Sequence, residues 1–181
     1  MMTELVFETH AVSEDNEAGR ATGWLPGRLS ERGRGLAAEL GVRRRDDGIA
    51  AVFASDLRRA VETADIAFGG SGLPIFHDWR LRECDYGECN GMPGAELHQD
   101  RRQYLDQPYP GGESWRGAVA RVSGFLDDLL TYWPGRRVLV IGHVATRWAF
   151  EARINGVPLE EQIEAPFQWR EGWEYRFSKL D

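Results

Sequence analysis

Short apolar runs alternate along the chain with stretches in which apolar residues recur every three or four positions. The runs predict β-strands, and the helical periodicity predicts amphipathic α-helices. The predicted strands cover about residues 4–9, 49–54, 73–77, 138–142 and 173–178. The predicted helices cover about residues 30–41, 55–68, 113–132 and 144–154. This alternation predicts an α/β fold, a single-domain three-layer sandwich over residues 1–181 with a mostly parallel central sheet and helices on both faces.

Polar residues and glycines mark the ends of these elements. Ser30 is a candidate N-cap of the first long helix, and Gly41 is its predicted end. Residues 78–112 lack periodicity and are rich in Gly, Pro, Arg and acidic residues. Irregular segments of this length usually carry function or are mobile.

Composition and charge narrow the functional classes. With 42% hydrophobic residues and seven tryptophans, the chain is expected to fold around a substantial core. A net charge of −7 argues against general binding to nucleic acid or to an anionic membrane, because the field of the whole protein repels polyanions. No basic N-terminal region precedes an apolar stretch, and no apolar run approaches the roughly 18 residues of a membrane-spanning helix. We therefore expect a cytoplasmic protein.

The two cysteines, Cys84 and Cys89, are expected to be reduced thiols in the cytoplasm. Their Cys-x4-Cys spacing, even when the distant His98 is added, is poor for zinc and lacks a fourth ligand. We therefore expect no metal site.

Two histidines stand at the ends of predicted strands. Residues 5–9 lead into His10, and residues 138–142 lead into His143. Because ligands bind at the carboxyl ends of the strands in open α/β sheets, both imidazoles are expected at the same edge. Imidazole serves as a nucleophile, a proton carrier or a charge partner near neutral pH. Either histidine alone is more simply interpreted as a polar residue at a strand–loop junction. The segments between the two histidines therefore decide whether they form a functional site.

Three further segments suit a site that handles phosphate. Residues 55–60 follow a strand and open a helix, where Arg59 can bind a phosphate through two hydrogen bonds. Alternatively, the double arginine of this segment is a solvated helix face. Glu83 follows the short third strand and supplies an acid. Residues 110–114 predict a tight turn into a helix, in which Glu113 caps the helix rather than taking part in catalysis.

In this order the segments resemble the histidine phosphatase superfamily, the group of phosphoglycerate mutases and acid phosphatases. The resemblance spans nearly the whole chain and points to the phosphoglycerate mutase-like branch. The matching motifs are Thr9-His10-Ala11, Asn16, Gly23-Trp24, Leu29 to Gly33, Ser55 to Ala64, Leu81-Arg82-Glu83, Tyr86 to Gly91, Pro110 to Ser114 and Val138 to His143.

The resemblance implies a phosphohistidine mechanism. His10 would attack phosphorus, while Arg59 and His143 would hold the phosphate oxygens and stabilise their charge. Glu83 would protonate the leaving oxygen and then deprotonate the water that hydrolyses the intermediate. No metal or other cofactor is implied, because cationic side chains stabilise the charge. Further substrate contacts are assigned to Thr9, Asn16, Val144 and Arg147.

One residue departs from the family pattern. The family carries Arg before the nucleophilic histidine, whereas this chain carries Thr9, which donates one hydrogen bond and brings no charge. Loss of one preorganised donor typically costs roughly 10²- to 10³-fold in rate. Either another arginine restores the charge, with Arg147 and Arg28 as candidates, or the site binds phosphate weakly and works slowly or not at all. We favour a site rebuilt around Thr9.

The expected function is metal-independent hydrolysis of a phosphomonoester of a small metabolite. One alternative is a catalytically impaired family member that binds a phosphorylated ligand or a protein partner. Phosphotransfer of the phosphoglycerate mutase type is less favoured, because it needs a site for a second phosphate. Residues 78–112 carry no additional basic cluster beyond Arg80, Arg82, Arg101 and Arg102. The aromatic residues between positions 167 and 175 are expected to pack in the fold, and the substrate and the oligomeric state stay open.

Overall fold

A computed structural model describes residues 1–178 of the chain. Within this range one sheet contains β1 (Thr3–Thr9), β2 (Ala51–Ala54), β3 (Ile75–His77), β4 (Arg137–Gly142) and β5 (Trp173–Phe177). The strand order across the sheet is β3-β2-β4-β1-β5. The pairs β1–β4, β4–β2 and β2–β3 are parallel, and β5 runs antiparallel to β1. The prediction of a mostly parallel sheet is confirmed.

Helices cover both faces of this sheet. They are α1 (Glu14–Glu17), α2 (Glu31–Arg43), α3 (Arg58–Phe68), α4 (Gly94–Gln99), α5 (Trp115–Tyr132), α6 (Val144–Asn155) and α7 (Leu159–Gln162). On one face, α2 and α3 contribute Leu40 and Phe68 to an apolar cluster; on the other, α5 and α6 contribute Leu126 and Phe150 to a second. The two clusters make the fold the predicted three-layer sandwich. None of the described helices is long and apolar enough to span a bilayer.

Small residues at the two ends of α2 have different roles, since one caps the helix and the other allows close packing against α3. Ser30 caps the helix as predicted, because its Oγ accepts a hydrogen bond from the backbone N–H of Gly33 at 3.0 Å. The helix continues past Gly41 to Arg43, so the predicted stop at Gly41 is wrong. Gly41 instead lets α2 approach α3 closely, since a Cβ at this position would lie 2.3 Å from the carbonyl oxygen of Ala67.

α3 begins three residues later than predicted, at Arg58 rather than at Ser55. Ser55 lies in the turn that follows β2, where its Oγ accepts a hydrogen bond from the N–H of Leu57 at 3.2 Å. Leu57 is extended and occupies the N-cap position. This turn places Arg59 in the first turn of α3, beside the carboxyl edge of the sheet.

Residues 78–112 are less irregular than predicted. They contain α4 and three short 3₁₀ turns, Trp79–Leu81, Gly87–Cys89 and Arg101–Tyr104. Tyr86, Leu97 and Tyr109 from this segment form a third apolar cluster with Trp115 of α5 and Trp148 of α6. The segment is therefore packed against the sandwich.

The register between β1 and β4 determines where the two histidines lie. Thr9 is paired with Gly142, so the residues that follow them, His10 and His143, leave the sheet side by side. The backbone N–H of His10 also donates to the carbonyl oxygen of Gly142 at 3.0 Å. The two imidazole centroids are 5.0 Å apart.

Candidate active site

The ring of His10 is held in one tautomer. Its Nδ1 lies 2.7 Å from the carbonyl oxygen of Ala11. Because a carbonyl oxygen only accepts hydrogen bonds, Nδ1 carries the proton and Nε2 of the neutral ring keeps its lone pair. The N–H of Ala11 donates to Oγ1 of Thr63 at 3.0 Å, which ties this turn to α3. The local structure thus presents Nε2 of His10 as a nucleophile.

The ring of His143 has the opposite tautomer. Its Nδ1 lies 3.4 Å from Nη2 of Arg59. A guanidinium has no acceptor, so Nδ1 of His143 accepts this contact and the proton of the neutral ring is on Nε2. Nε2 is buried and has no hydrogen-bond partner among residues 1–178. A buried donor without a partner is costly, so this N–H is suited to an anionic oxygen in the cavity.

Arg59 supplies a buried positive charge between Gly23 and His143. Its Nη2 donates to the carbonyl oxygen of Gly23 at 2.9 Å, and its side chain forms no ion pair with a carboxylate of the described residues. Gly23 has a φ of 55°, and a Cβ there would lie 1.8 Å from Oδ1 of Asn90. A buried guanidinium that lacks a carboxylate partner favours the binding of an anion.

Glu83 sits at the N-terminus of α6. Its Oε1 accepts hydrogen bonds from the N–H groups of Cys84 at 2.9 Å and Ala145 at 3.1 Å, and its Oε2 accepts one from Val144 at 3.3 Å. Burial raises the pKa of Glu83 above its ordinary value, although these donors and Arg59 act in the opposite direction. Glu83 therefore keeps its proton to a higher pH than an exposed glutamate, as a general acid requires.

Both histidines are neutral near pH 7. Burial, reinforced by the charge of Arg59, lowers the pKa of His10 to about 3. Burial also lowers the pKa of His143 well below its ordinary value, with contributions from Arg59 and His10. A neutral His10 is required for nucleophilic attack, and a neutral His143 still donates from Nε2.

One cavity of about 1120 Å³ joins these groups. Its lining includes the four residues assigned to catalysis and three of the four assigned to substrate contacts: His10, Arg59, Glu83, His143, Thr9, Asn16 and Val144. The amide of Asn16 also completes a capping box, because its Oδ1 accepts from the N–H of Ser13 at 3.0 Å while the Oγ of Ser13 accepts from the N–H of Asn16. Asn16 thus shapes the loop after His10 in addition to lining the cavity.

Neither candidate for the missing guanidinium lines this cavity. The guanidinium of Arg147 lies 5.1 Å from the ring centroid of Trp173, on β5. Arg28 is exposed and pairs with Glu14 at 2.7 Å. The arginines that do line the cavity are Arg20, Arg32, Arg43, Arg59 and Arg101. Within the described residues, Arg59 is the one of these five arginines that forms a hydrogen-bond contact with His10 or His143.

Two side chains outside the predicted set hold the backbone of Glu83. Nε1 of Trp24 and Nη2 of Arg121 each donate to the carbonyl oxygen of Glu83 at 2.7 Å. The guanidinium of Arg82 lies 4.5 Å from the centroid of the Trp24 ring. The Gly23-Trp24 motif was the signal for the first of these residues. Arg121 lies within a helix of ordinary composition and has no comparable signal.

Glu113 does not cap α5. Ser114 occupies the N-cap position, and its Oγ accepts from the N–H of Gly117 at 3.1 Å. Glu113 accepts a hydrogen bond from the N–H of Asp85 at 3.0 Å and forms an ion pair with Arg121. The predicted capping role is therefore wrong, and Glu113 instead supports the arginine that binds the backbone of Glu83.

Cys84 is buried and Cys89 is half-buried. Burial raises the pKa of the Cys84 thiol well above its ordinary value. Among residues 1–178, no three His, Cys, Asp or Glu side chains form a group that could hold a metal ion.

The sequence model of the Histidine phosphatase superfamily (branch 1) matches residues 5–168. The chain belongs to this superfamily. The match covers the segments that carry both histidines, Arg59 and Glu83, and it agrees with the resemblance found from the motifs.

Related proteins include a phosphatase and a mutase. Phosphoserine phosphatase 1 of Hydrogenobacter thermophilus is 30% identical over 168 residues, which cover 88% of this chain and 80% of that protein. The 2,3-bisphosphoglycerate-dependent phosphoglycerate mutase of Neisseria meningitidis serogroup C is 29% identical over 199 residues, with 87% of each chain covered. Among solved structures, Bacillus stearothermophilus YhfR aligns with a TM-score of 0.84 at 25% identity, over 99% of this chain and 96% of that one. The family and the fold predicted from the sequence are confirmed, and the chain is a phosphatase of this superfamily.

Proposed function

We propose that this chain hydrolyses a phosphomonoester of a small metabolite through a phosphohistidine intermediate, without a metal ion. The observation that carries the proposal is the buried Arg59, which has no carboxylate partner among the described residues and lies against His143. A phosphate group in the cavity would supply the missing negative charge. His10 and Glu83 supply the two chemical functions that phosphate binding alone does not need.

The reaction has two half-reactions in this proposal. In the first, Nε2 of His10 forms a bond to phosphorus while the ester P–O bond breaks, and Glu83 gives its proton to the leaving alcohol oxygen. In the second, Glu83 takes a proton from water as the water oxygen attacks phosphorus and the N–P bond breaks. Arg59 and the Nε2 proton of His143 stabilise the phosphoryl oxygens in both steps. Free phosphate and the neutral His10 are then regenerated.

Thr9 favours a second candidate, a family member that binds a phosphorylated ligand or a protein partner and turns over slowly. A threonine in place of an arginine removes charge from the phosphate site, whereas the acid and the nucleophile are retained. The two candidates differ in one observable, which is the rate at which phosphate is released.

The test is hydrolysis of a panel of phosphomonoesters by the purified protein in the presence of a metal chelator. We expect phosphate release with the chelator present, and a phosphoenzyme that is labile in acid and stable in base, as a phosphohistidine is. Strict dependence on a divalent metal would contradict the proposal. Phosphate binding without release of phosphate from any ester would favour the second candidate.

The substitution Thr9→Arg is expected to strengthen inhibition by inorganic phosphate roughly tenfold, because a charge-assisted bidentate pair replaces at most one neutral hydrogen bond. Arg28 and Arg147 lie outside the cavity, so neither already occupies this role. The measurement is the inhibition constant of phosphate in the wild type and the variant. Thr9→Gln is the control for side-chain volume without charge. Weaker inhibition in Thr9→Arg than in Thr9→Gln would show that other groups fill the space that the arginine needs.

A further inference from the structure

The cavity extends well beyond the four catalytic residues. Pockets of about 300–1,000 Å³ already enclose drug-sized ligands, and this cavity measures about 1120 Å³. β5 pairs with β1 only as far as Phe7, so the edge of β1 at Glu8 and Thr9 is unpaired on that side. The cavity follows this open edge and passes between α2 and residues 164–171.

This part of the cavity, the aromatic arm, is lined by Leu36, Leu40, Phe167 and Trp169. The two leucines come from α2, and the two aromatic residues come from the facing segment. Both rings are partly exposed: Trp169 is 60% exposed, and Phe167 is 40% exposed with its ring centroid 6.3 Å from that of Trp173. Large aromatic side chains that line a cavity and stay partly exposed favour a flat apolar ligand, which they can contact face to face or edge to face.

Charges near the aromatic arm are paired or solvated. Glu8 is buried and forms ion pairs with Arg43 at 3.2 Å and with Arg44 at 2.8 Å. The remaining charged residues of α2 and of residues 164–171 that line the cavity are Arg32, Glu39, Glu164 and Glu171, and all four are exposed. α2 and residues 164–171 therefore offer no buried, unpaired charge to a second ionic group of the substrate, and the half-buried Arg101, which also lines the cavity, donates to the carbonyl oxygens of Ile163 and Ala165.

The segment that carries the two aromatic residues is fixed at both ends. Near its start, Nη2 of Arg101 donates to the carbonyl oxygens of Ile163 and Ala165. At its end, Nη2 of Arg44 donates to the carbonyl oxygen of Glu171 at 3.4 Å. The next residue, Gly172, has a φ of 78°, and a Cβ there would lie 2.2 Å from Nη2 of Arg44. These contacts hold the segment over the arm.

We propose that the aromatic arm is a subsite for an aromatic ring carried by the alcohol part of the substrate. This inference rests on the phosphomonoesterase activity proposed above. The cavity is continuous from the histidine pair to the arm, so one ester can place its phosphate at His10 and its ring between α2 and Trp169. The substrate class is therefore an arylalkyl phosphate.

The experiment compares kcat/KM for 4-phenylbutyl, 4-cyclohexylbutyl and butyl phosphate. All three have a primary alcohol as leaving group, so differences report binding of the distant group. We expect the phenyl ester to exceed the butyl ester roughly tenfold or more, as aromatic stacking in other sites does, and to exceed the cyclohexyl ester. Trp169→Ala is expected to abolish this preference. Trp79→Ala, which removes a 53% exposed tryptophan outside the cavity, is expected to retain it.

A second measurement separates this proposal from the proposed function. Calorimetry with 4-phenylbutylphosphonate and butylphosphonate measures binding without hydrolysis. Tighter binding of the phenyl compound, lost in Trp169→Ala, would support the subsite even if no ester is hydrolysed. Hydrolysis with equal kcat/KM for the three esters would overturn the subsite and leave the phosphatase activity standing. A preference that is equal for phenyl and cyclohexyl esters, or that survives Trp169→Ala, would also overturn it.

Discussion

Turnover of phosphomonoesters is expected to disappear when His10 is replaced by alanine, with a loss of at least about 10⁴-fold in kcat. The reason is that His143, the imidazole beside His10, cannot take over the attack. His143 has its Nδ1 against Arg59 and its proton on Nε2, so it presents a donor rather than a lone pair to the cavity. The measurement is steady-state phosphate release, together with a search for acid-labile phosphoenzyme in a single turnover.

Two controls make the His10→Ala result interpretable. Phosphate binding measured by calorimetry is expected to persist, because Arg59 and His143 remain in place. His77→Ala removes an exposed imidazole on β3, outside the cavity, and is expected to leave activity unchanged. Turnover by the His10→Ala protein at a rate near that of the wild type would rule out the phosphohistidine route.

The sheet edge that holds both histidines could be predicted from local patterns. Each histidine follows a short apolar run, and the run predicts a strand without knowledge of the rest of the chain. Parallel pairing then brings the ends of these strands together, which is what the register of Thr9 with Gly142 shows. The convergence of the histidines therefore depends on a rule of sheet topology.

The groups that support Glu83 could not be predicted in the same way. Trp24 and Arg121 are 59 and 38 residues away from Glu83 in sequence, yet both donate to its carbonyl oxygen. Such contacts depend on how a loop and a distant helix pack together, and neither contact leaves a periodic signal in the sequence. Gly41 shows the same limit at the level of secondary structure. From the sequence alone this glycine predicts the end of a helix, whereas in the structure it allows α2 to pack closely against Ala67.

Arg147, the candidate to replace the missing guanidinium, shows a further limit of prediction from sequence. Helical spacing places Arg147 one turn beyond His143, which made it a reasonable candidate. Spacing does not say which way the long side chain runs, and in the structure its guanidinium stacks on Trp173. A flexible arginine is placed by its partners, and here the partner comes from β5, which follows α6 and α7 in the chain.

Glu83→Gln is expected to lower kcat/KM for alkyl phosphates by about 10²- to 10⁴-fold, because the leaving alkoxide then departs without a proton. For 4-nitrophenyl phosphate the first half-reaction is expected to change little, since nitrophenolate is a stable leaving group. The second half-reaction still lacks its base, so this substrate should give a burst of nitrophenolate and then accumulate phosphoenzyme. Rapid mixing with absorbance detection measures both phases. Glu88→Gln, at an exposed position outside the cavity, is the matched control.

Glu83→Gln also tests how kcat/KM depends on pH. For an alkyl ester, the wild-type kcat/KM requires neutral His10 and protonated Glu83. The acid limb should therefore lie near the His10 pKa of about 3, and the alkaline limb at the pKa of Glu83, which burial raises above its ordinary value. Activity should fall as pH rises through that second value. Ionisation of the ester itself, with a second pKa near about 6, affects wild type and variant alike. Loss of the Glu83 limb in Glu83→Gln identifies the acid, and an alkaline limb that is identical in both proteins would show that another group donates the proton.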